Sequence, residues 1–351
     1  MLICAACGHS RLKTFARRDA KSRKSLMLGF CSDCGLMQQT EIPRNFDLAE
    51  YYSHNYRKDY KKTLVPQLRH VWRAGNAAIN RIEFLRKALP GTFDGTILVD
   101  VGAGGGEFVY LARKFGFKSR GIEPNVGYSE FARDNYCVEV LTAGIESLER
   151  NTADVITLFH VLEHLPSPAM AAKILYSALK DEGVLFVEVP NILQVDASPA
   201  NIFFRAHLFY FSKSTLCSVM NKYFEPIYST DKGNLKIVFR KRKVLISENS
   251  SIFGYAQDEW LTFAQKGWLQ YLTLGNGWKK PFIKLKNNFV ELSLFALKPK
   301  EILDSIFSIY LQPKKHNLSR LQKRLKLLNA VSIIASLSIF VQLIWFLSYD
   351  F

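Results

Sequence analysis

The chain has 351 residues, of which 48% are hydrophobic and 22% are charged, and its formal net charge is +16. This is the composition of a globular protein of about two domains, and its 26 Phe and 15 Tyr residues exclude a chain that is disordered throughout. The positive charge lies mostly at the two ends, with a net of +6 over residues 11–24 and +9 over residues 278–326. Such surfaces attract phosphorylated substrates, anionic lipid or nucleic acid.

The N-terminal segment, residues 1–40, contains two copies of a Cys-x-x-Cys-Gly pattern, with cysteines at Cys4, Cys7, Cys31 and Cys34. Four thiolates at this spacing are typical of a tetrahedral Zn²⁺ site, and four protein ligands leave no open position for catalysis. We therefore predict a zinc ribbon with a structural Zn²⁺; two unrelated thiol pairs or a redox dithiol are the alternatives. The first residues resemble no secretory signal, which predicts a cytoplasmic protein.

Residues 41–90 begin with a Tyr-rich stretch that includes Tyr51, Tyr52 and Tyr56. A helical pattern follows, with apolar positions at Val71, Ala74, Ala78, Ile82 and Leu85, and it ends at Pro90-Gly91. Apolar residues spaced by three and four positions predict one buried face of a helix. We interpret this segment as a helical linker or lid.

Residues 91–245 alternate apolar runs with helical patterns. The predicted strands are 96–102, 118–123, 138–142, 154–160, 183–190 and 235–240, and the predicted helices are 106–116, 126–135, 168–180 and 212–223. This alternation predicts an α/β fold, a doubly wound parallel sheet with helices on both faces. Residues 226–240 read as two successive strands, so we expect an antiparallel pair at one edge.

The C-terminal part divides into a basic helical extension, residues 246–326, and an apolar tail, residues 327–351. Residues 327–348 carry no charge, and this uncharged stretch is long enough for a membrane span. Basic residues precede it, as expected on the cytoplasmic side of a span. The alternative for the tail is a helix packed on the protein. The basic extension either rests on anionic lipid or forms a solvated helix face.

A glycine loop follows the first strand of the α/β segment. Its residues are Asp100, Gly102, Gly104 and Gly106, and Glu107 stands where a dinucleotide-binding loop would have its third glycine. Bare backbone at a helix N-terminus can approach a ligand closely, and Glu123, at the end of the next strand, can accept hydrogen bonds from ribose hydroxyls. The alternative is a glycine-rich turn without a ligand.

Together with this loop, two further stretches carry a resemblance to a known family. VLEHLPSPAMAAKILYSALKDEGVLFVEVPN (161–191) and HLFYFSKSTL (207–216) resemble class I S-adenosylmethionine (SAM)-dependent methyltransferases. The paired cysteines and the Tyr-rich stretch resemble the subgroup that acts in sugar and polysaccharide biosynthesis. The resemblance implies a Rossmann-like, seven-stranded sheet and SAM as cofactor.

The resemblance also implies roles for individual residues. The methionine and ribose end of SAM would be lined by Asp100, Gly102, Ala103, Gly104 and Gly106. Glu123 would hold the ribose hydroxyls, and the adenine would lie against Pro124, Gly144 and Ile145. The sulfonium would lie near Phe159 and His160.

Methyl transfer to a hydroxyl or amine is helped by a base that reaches the acceptor's proton. The candidates are His207, His160 and His164, and we favour His207 because it lies in the loop after the fifth strand, at the ligand-binding edge of such sheets. The alternative for His207 and His164 is a structural role in the surrounding loops.

The segment before His207 departs from the related sugar C-methyltransferases, which carry a Tyr-His-Glu-His run where this chain has Phe204-Arg205-Ala206-His207. Proton abstraction from carbon needs that richer set, so we favour methylation of O or N over C. Arg205 is either a clamp for a substrate phosphate or a solvated charge.

The sequence therefore predicts a methyltransferase that acts on a nucleotide-linked or lipid-linked saccharide, with membrane contact through the tail. One alternative is an RNA methyltransferase, which the ribbon and the basic charge support. We disfavour a nucleic-acid partner because the basic N-terminal run lacks interleaved aromatic residues. The other alternative is a non-catalytic, membrane-associated zinc scaffold. No pattern indicates an oligomeric state.

Overall fold

The computed structural model describes residues 2–42, 65–246, 260–263, 266–292, 294 and 297–312. Among them lie eleven strands: β1 (Leu12–Arg18), β2 (Ser25–Cys31), β3 (Met37–Gln39), β4 (Ile97–Val101), β5 (Lys118–Ile122), β6 (Val140–Leu141), β7 (Ala153–Phe159), β8 (Leu179–Val189), β9 (Phe209–Tyr210), β10 (Phe224–Thr230) and β11 (Leu235–Lys241). The α-helices of the same residues are α1 (Leu68–Ala88), α2 (Glu107–Lys114), α3 (Val126–Tyr136), α4 (Pro168–Ala178), α5 (Lys213–Met220), α6 (Trp268–Leu272), α7 (Lys280–Leu292) and α8 (Pro299–Leu311).

The larger sheet has seven strands in the described residues, in the order β10-β11-β8-β7-β4-β5-β6. The strands from β4 to β8 pair in parallel, whereas β11 pairs antiparallel with both β8 and β10. The predicted α/β fold class and the antiparallel edge are therefore confirmed. The fold class was predictable because central parallel strands are buried on both faces and are therefore continuous apolar runs in the sequence.

A smaller sheet of four strands has the order β1-β2-β3-β9. Its first three strands come from the cysteine-bearing segment, and the fourth, β9, follows His207 in the chain. Met37 and Gln38 of β3 pair with Tyr210 and Phe209 of β9. The N-terminal segment is therefore joined by backbone hydrogen bonds to the loop that carries His207.

The Gln39 side chain strengthens this junction. It is buried, and its Nε2 donates to the carbonyl oxygens of Arg205 and His207, at 2.8 Å each. The backbone N–H of Gln39 donates to the carbonyl of Leu208 at 2.8 Å. One residue of β3 thus holds three positions of the loop, Arg205, His207 and Leu208, from one side.

Helix α1 covers one face of the larger sheet, and its buried face differs by one position from the prediction. The buried residues are Val71, Gly75, Ala78, Ile82 and Leu85, so Gly75 replaces the predicted Ala74. The reason is packing against α8, because a Cβ on Gly75 would lie 2.6 Å from Leu303 Cδ2 and 2.7 Å from Ile306 Cδ1. A residue without a side chain lets the two helices approach closely.

Among the described residues, no helix has both the length and the hydrophobicity that a bilayer span requires. The predicted tail, residues 327–351, lies outside the described residues, as do Tyr51, Tyr52 and Tyr56. The membrane contact remains a prediction from the sequence.

Replacing Gln39 tests the junction between the two sheets. Gln39→Met keeps the length of the side chain but removes the donor shared by the two carbonyls, so we expect the free energy of unfolding to fall by about 1–3 kcal/mol. Urea unfolding measures the change. Thr40→Val is the control, because the Thr40 hydroxyl makes only a 3.4 Å hydrogen bond. Equal stability of the two variants would contradict the role given to Gln39.

Candidate functional site

The glycine loop and Glu123 come together at the carboxyl ends of β4 and β5. The Glu123 side chain is buried, and its Oε2 accepts a hydrogen bond from the Gly104 N–H at 2.8 Å. Its Oε1 accepts one from the Asn125 N–H at 3.1 Å. The carboxylate is therefore held against the loop, and each oxygen has a further lone pair with which to accept a ribose hydroxyl.

The loop needs its glycines for two reasons. Gly102, Gly104 and Gly106 have φ of +74°, +57° and +82°, a left-handed region that strains other residues. A Cβ on Gly102 would lie 2.3 Å from Val161 Cγ2, and one on Gly106 would lie 2.6 Å from Ala132 Cβ. Bare backbone beside a fixed carboxylate fits an adenosyl group, because the backbone can approach the ligand and the carboxylate can bind the ribose.

Asp100 is a buried residue near the end of β4, two residues before Gly102 of the loop. Its Oδ1 accepts a hydrogen bond from the Thr157 hydroxyl at 2.6 Å. Burial raises the pKa of Asp100 to about 7, against the opposing effects of Thr157 and Arg81, and the nearby Glu123 adds to the rise. The side chain therefore changes its charge near neutral pH.

The other predicted cofactor residues lie at the same edge of the sheet. Pro124 is the second residue after β5, and Gly144 is the N-cap of the 3₁₀ turn Ile145–Ser147 that follows β6. Because β5 and β6 are parallel neighbours, the ends of both strands meet at that edge. Pro124, Gly144 and Ile145 therefore lie at the same edge of the sheet as the glycine loop.

Phe159, at the end of β7, is in cation–π contact with Arg81, which the sequence did not indicate. The Cζ of Arg81, from α1, lies 4.1 Å from the ring centroid of Phe159. Two further rings, those of Phe108 and Phe186, contact Phe159 edge to face at 4.8 and 5.0 Å. One face of Phe159 is therefore already covered by a cation.

Arg81 also belongs to a buried polar network at the end of β8. Its Nε donates to Glu188 Oε2 at 2.7 Å, and Asn234 Nδ2 donates to Glu188 Oε1 at 2.8 Å. Burial would raise the pKa of Glu188, but His160 and Arg81 hold it well below its usual range. The network fixes a negative charge beside the end of β7.

His160 lies between two carboxylates. Its Nδ1 is 3.4 Å from Glu163 Oε1, and its Nε2 is 3.5 Å from Glu188 Oε1. Burial lowers the pKa of His160, but the two carboxylates outweigh it and raise the pKa to about 9. At neutral pH His160 is therefore an imidazolium, which can donate a proton but cannot accept one.

Glu163, His164 and His207 form a second group on the other side of Glu163. Nε2 of His164 lies 4.0 Å from Glu163 Oε1, and the ring centroids of the two histidines are 4.9 Å apart. Burial, together with the charge of His164, lowers the pKa of His207 to about 3. His207 is therefore neutral at physiological pH. Of the three predicted histidines, two share this group and His160 lies beside it.

The four predicted zinc ligands also come together. The Sγ atoms of Cys4, Cys7, Cys31 and Cys34 all lie within 4.8 Å of one another. The Cys4–Cys34 and Cys7–Cys31 sulfur pairs are 3.5 and 3.6 Å apart. The glycines that follow the two pairs, Gly8 and Gly35, have φ of +75° and +79° and close two similar turns. A four-thiolate set with this spacing fits a tetrahedral zinc ion.

Four residues of the site were missed from the sequence: Arg81, Glu163, Glu188 and Asn234. Glu188 had a signal, because it is a lone carboxylate inside an apolar strand that must be buried. Glu163 directly precedes His164 in the sequence, but only the histidine was predicted as a site residue. Arg81 and Asn234 sit on a helix and a loop distant in sequence, and no local pattern marks them.

A comparison with protein families matches part of the chain. Residues 70–223 match the family model described as a methyltransferase domain. Over this segment the chain is similar to methyltransferases. The predicted enzyme class is confirmed, and the glycine loop, Glu123 and the three histidines all fall within the matched residues. No curated protein matches the chain.

Several solved structures overlap the chain in part. The 1,6-didemethyltoxoflavin-N1-methyltransferase of Burkholderia thailandensis, solved with 1,6-didemethyltoxoflavin and S-adenosylhomocysteine, is 14% identical, with 60% of this chain and 97% of that chain covered and a TM-score of 0.45. The magnesium protoporphyrin IX methyltransferase of Synechocystis PCC 6803 is 12% identical, with 57% and 100% covered and a TM-score of 0.45. A SAM-dependent methyltransferase of Aquifex aeolicus is 14% identical, with 57% and 100% covered and a TM-score of 0.40.

The raised pKa of Asp100 predicts a dependence of stability on pH. Since folding raises this pKa from 3.8 to about 7, the unfolded chain releases the proton first as the pH rises. The free energy of unfolding should therefore fall between about pH 4 and pH 7, by a few kcal/mol at about 1.4 kcal/mol per pKa unit. Asp100→Asn does not titrate at this position, so the melting temperature of the wild type should fall relative to that of the variant between about pH 4 and pH 7. Parallel curves for the two proteins would contradict the assignment.

Proposed function

We propose that the chain transfers a methyl group from SAM to an oxygen or nitrogen of a saccharide that is nucleotide-linked or lipid-linked, in polysaccharide or glycoconjugate biosynthesis. The observation that carries the cofactor part is the Glu123 carboxylate, held 2.8 Å from the Gly104 N–H against bare backbone. The saccharide class is supported by the resemblance of the paired cysteines and the Tyr-rich stretch to sugar methyltransferases.

In this proposal the cofactor supplies a methyl group on a sulfonium, and the chain's residues bind and orient it. Glu123 accepts hydrogen bonds from the ribose hydroxyls, and the loop from Gly102 to Gly106 lines the ribose and methionine end. Pro124, Gly144 and Ile145 enclose the adenine. The charges of Glu188 and Glu163 offset the cation of His160, so that the end of β7 can tolerate a sulfonium nearby.

The acceptor would lie over the group formed by Glu163, His164 and His207. When no cation is bound to that group, His207 can receive the acceptor's proton because it is neutral, whereas His160 is protonated. Its lowered pKa makes it a weak base, so it takes the proton from an oxygen only as the bond to the methyl group forms and makes that oxygen strongly acidic. Arg205, exposed two residues before His207, would contact the phosphate of a nucleotide-linked or lipid-linked sugar.

Zinc has a structural role in the proposal. Cys4, Cys7, Cys31 and Cys34 would hold Zn²⁺, which fixes the turns before β1 and after β2. Through β3, that unit supports β9 and the loop of His207. The metal would therefore influence turnover through the position of the loop, without contact with the acceptor.

The cofactor assignment is tested by Glu123→Gln. An amide cannot replace the carboxylate as an acceptor for both ribose hydroxyls, so we expect the dissociation constant of SAM to rise by about 10–100-fold, equivalent to 1.4–2.8 kcal/mol. Isothermal titration calorimetry measures it. Glu130→Gln, an exposed glutamate on α3, is the matched control and should bind SAM as the wild type does. If Glu123→Gln binds SAM with wild-type affinity, the proposed cofactor site is wrong.

The acceptor is tested by transfer of a labelled methyl group from SAM to cell extract separated into lipid-linked sugar, nucleotide-sugar and RNA fractions. We expect label in a sugar fraction, and a drop in turnover of about 10²-fold or more for His207→Ala with unchanged SAM affinity. Label in the RNA fraction, with binding that weakens steeply as salt increases, would favour the RNA methyltransferase instead. Unchanged turnover of His207→Ala would dismiss this residue from the acceptor site.

A further inference from the structure

We propose that Glu163, His164 and His207 bind a divalent first-row transition-metal ion, at a site separate from the four cysteines. One carboxylate oxygen and two imidazole nitrogens from these residues lie within 4.8 Å of one another. Two histidines and one carboxylate form a ligand set that suits Fe²⁺, Zn²⁺ or Mn²⁺ and leaves coordination positions open.

The Glu163 carboxylate lacks hydrogen bonds. Glu163 is 1% exposed, and within the described part of the chain neither of its carboxylate oxygens has a hydrogen-bond partner. His160, the nearest cationic side chain, offsets its charge at 3.4 Å but without the geometry of a hydrogen bond. A buried carboxylate whose lone pairs accept no hydrogen bond is destabilising, and a metal ion would satisfy those lone pairs.

The orientation of His164 fits a metal ligand. Its Nδ1 lies 2.7 Å from the Ala206 carbonyl oxygen, which can only accept, so the proton is on Nδ1. In the neutral ring, which is the form that binds a metal, Nε2 carries the lone pair, and it is the nitrogen that faces Glu163, at 4.0 Å. Metal-binding histidines are commonly held in this way, with the second ring nitrogen donating to a backbone carbonyl.

Backbone hydrogen bonds also fix the two segments that supply the ligands. The Leu208 N–H donates to the Glu163 carbonyl at 2.8 Å, so the loop of His207 is tied to the turn that carries the other two residues. Gln39 holds the His207 carbonyl from the other side. Ligand bonds of about 2.0–2.2 Å require donor atoms about 3–3.5 Å apart, so the side chains need to close by about 1 Å.

The site adjoins the cofactor loop. Val161, two residues before Glu163, lies against Gly102, since a Cβ on that glycine would meet Val161 Cγ2 at 2.3 Å. A metal ion with open positions there can bind an acceptor oxygen and increase its acidity, in which case His207 acts as a ligand and not as a free base. This use of the site rests on the proposed function, whereas metal binding itself does not.

The test is the metal content of the full chain. After removal of metals with a chelator, the protein is titrated with Co²⁺ and the bound metal is measured by mass spectrometry. We expect two ions per chain: one with the intense thiolate-to-metal absorption of a cysteine site, and a second without it. Wild-type protein that binds only the thiolate-type ion would overturn the proposal.

Variants locate the second ion. Glu163→Gln and His207→Ala should lose it, with a dissociation constant raised by more than about 100-fold, while the thiolate absorption stays. Glu130→Gln, at an exposed position of α3, is the matched control, and it should keep both ions. Far-UV circular dichroism shows that each variant is folded. A second ion that survives in Glu163→Gln or His207→Ala with unchanged affinity would also overturn the proposal.

The labelling assay separates this proposal from the proposed function. If the chain methylates a sugar fraction while binding one ion only, the metal site is wrong and the function stands. If it binds two ions but labels no sugar, the metal site stands and the function is wrong.

Discussion

The backbone pairing of β3 with β9 is the contact on which the site depends most. These short strands join two parts of the chain that are about 170 residues apart, and Gln39 adds side-chain hydrogen bonds to the same loop. Two further contacts tie the same loop to the N-terminal unit: the Arg205 N–H donates to Asp19 Oδ1, and the Ala20 N–H donates to the Phe203 carbonyl, at 2.7 Å each. The cysteine-bearing unit therefore supports the loop of His207.

The parallel strands supply the second constraint. Because β4, β5, β7 and β8 run in the same direction, the residues at or just past their ends meet along one edge. Asp100, Glu123, His160 and Glu188 gather there from four separate stretches of the chain. Three carboxyl groups in so small a region require compensation, and it comes from Arg81, from His160 and from backbone N–H groups.

Much of the fold could be predicted, because apolar runs alternate with helical patterns and each run is bounded by turn residues. The glycine loop and the paired cysteines were also evident, since their chemistry depends on spacing within a few residues. The buried face of α1 was misplaced at Gly75, because the helix that packs there lies more than 200 residues later. The spacing of apolar residues within α1 carries no information about its contact with α8.

The site was less predictable for the same reason. The sequence marked His160, His164 and His207 as similar candidates, whereas their surroundings give them different protonation states. His160 becomes cationic between Glu163 and Glu188, and His207 becomes neutral in a buried loop. These differences arise from contacts between distant segments. Arg81 is a further case, because this helix residue covers one face of the Phe159 ring. The pattern of the strand gave no indication of that contact.

The backbone of His160 has a consequence for ligand entry. Its φ is +59°, a conformation that costs a residue with a side chain about 1 kcal/mol or more, and its N–H donates to the Glu188 carbonyl at 2.8 Å. The hydrogen bond to the neighbouring strand sustains this strain. The end of β7 is therefore held in one backbone conformation, which lowers the entropy cost of binding a molecule there.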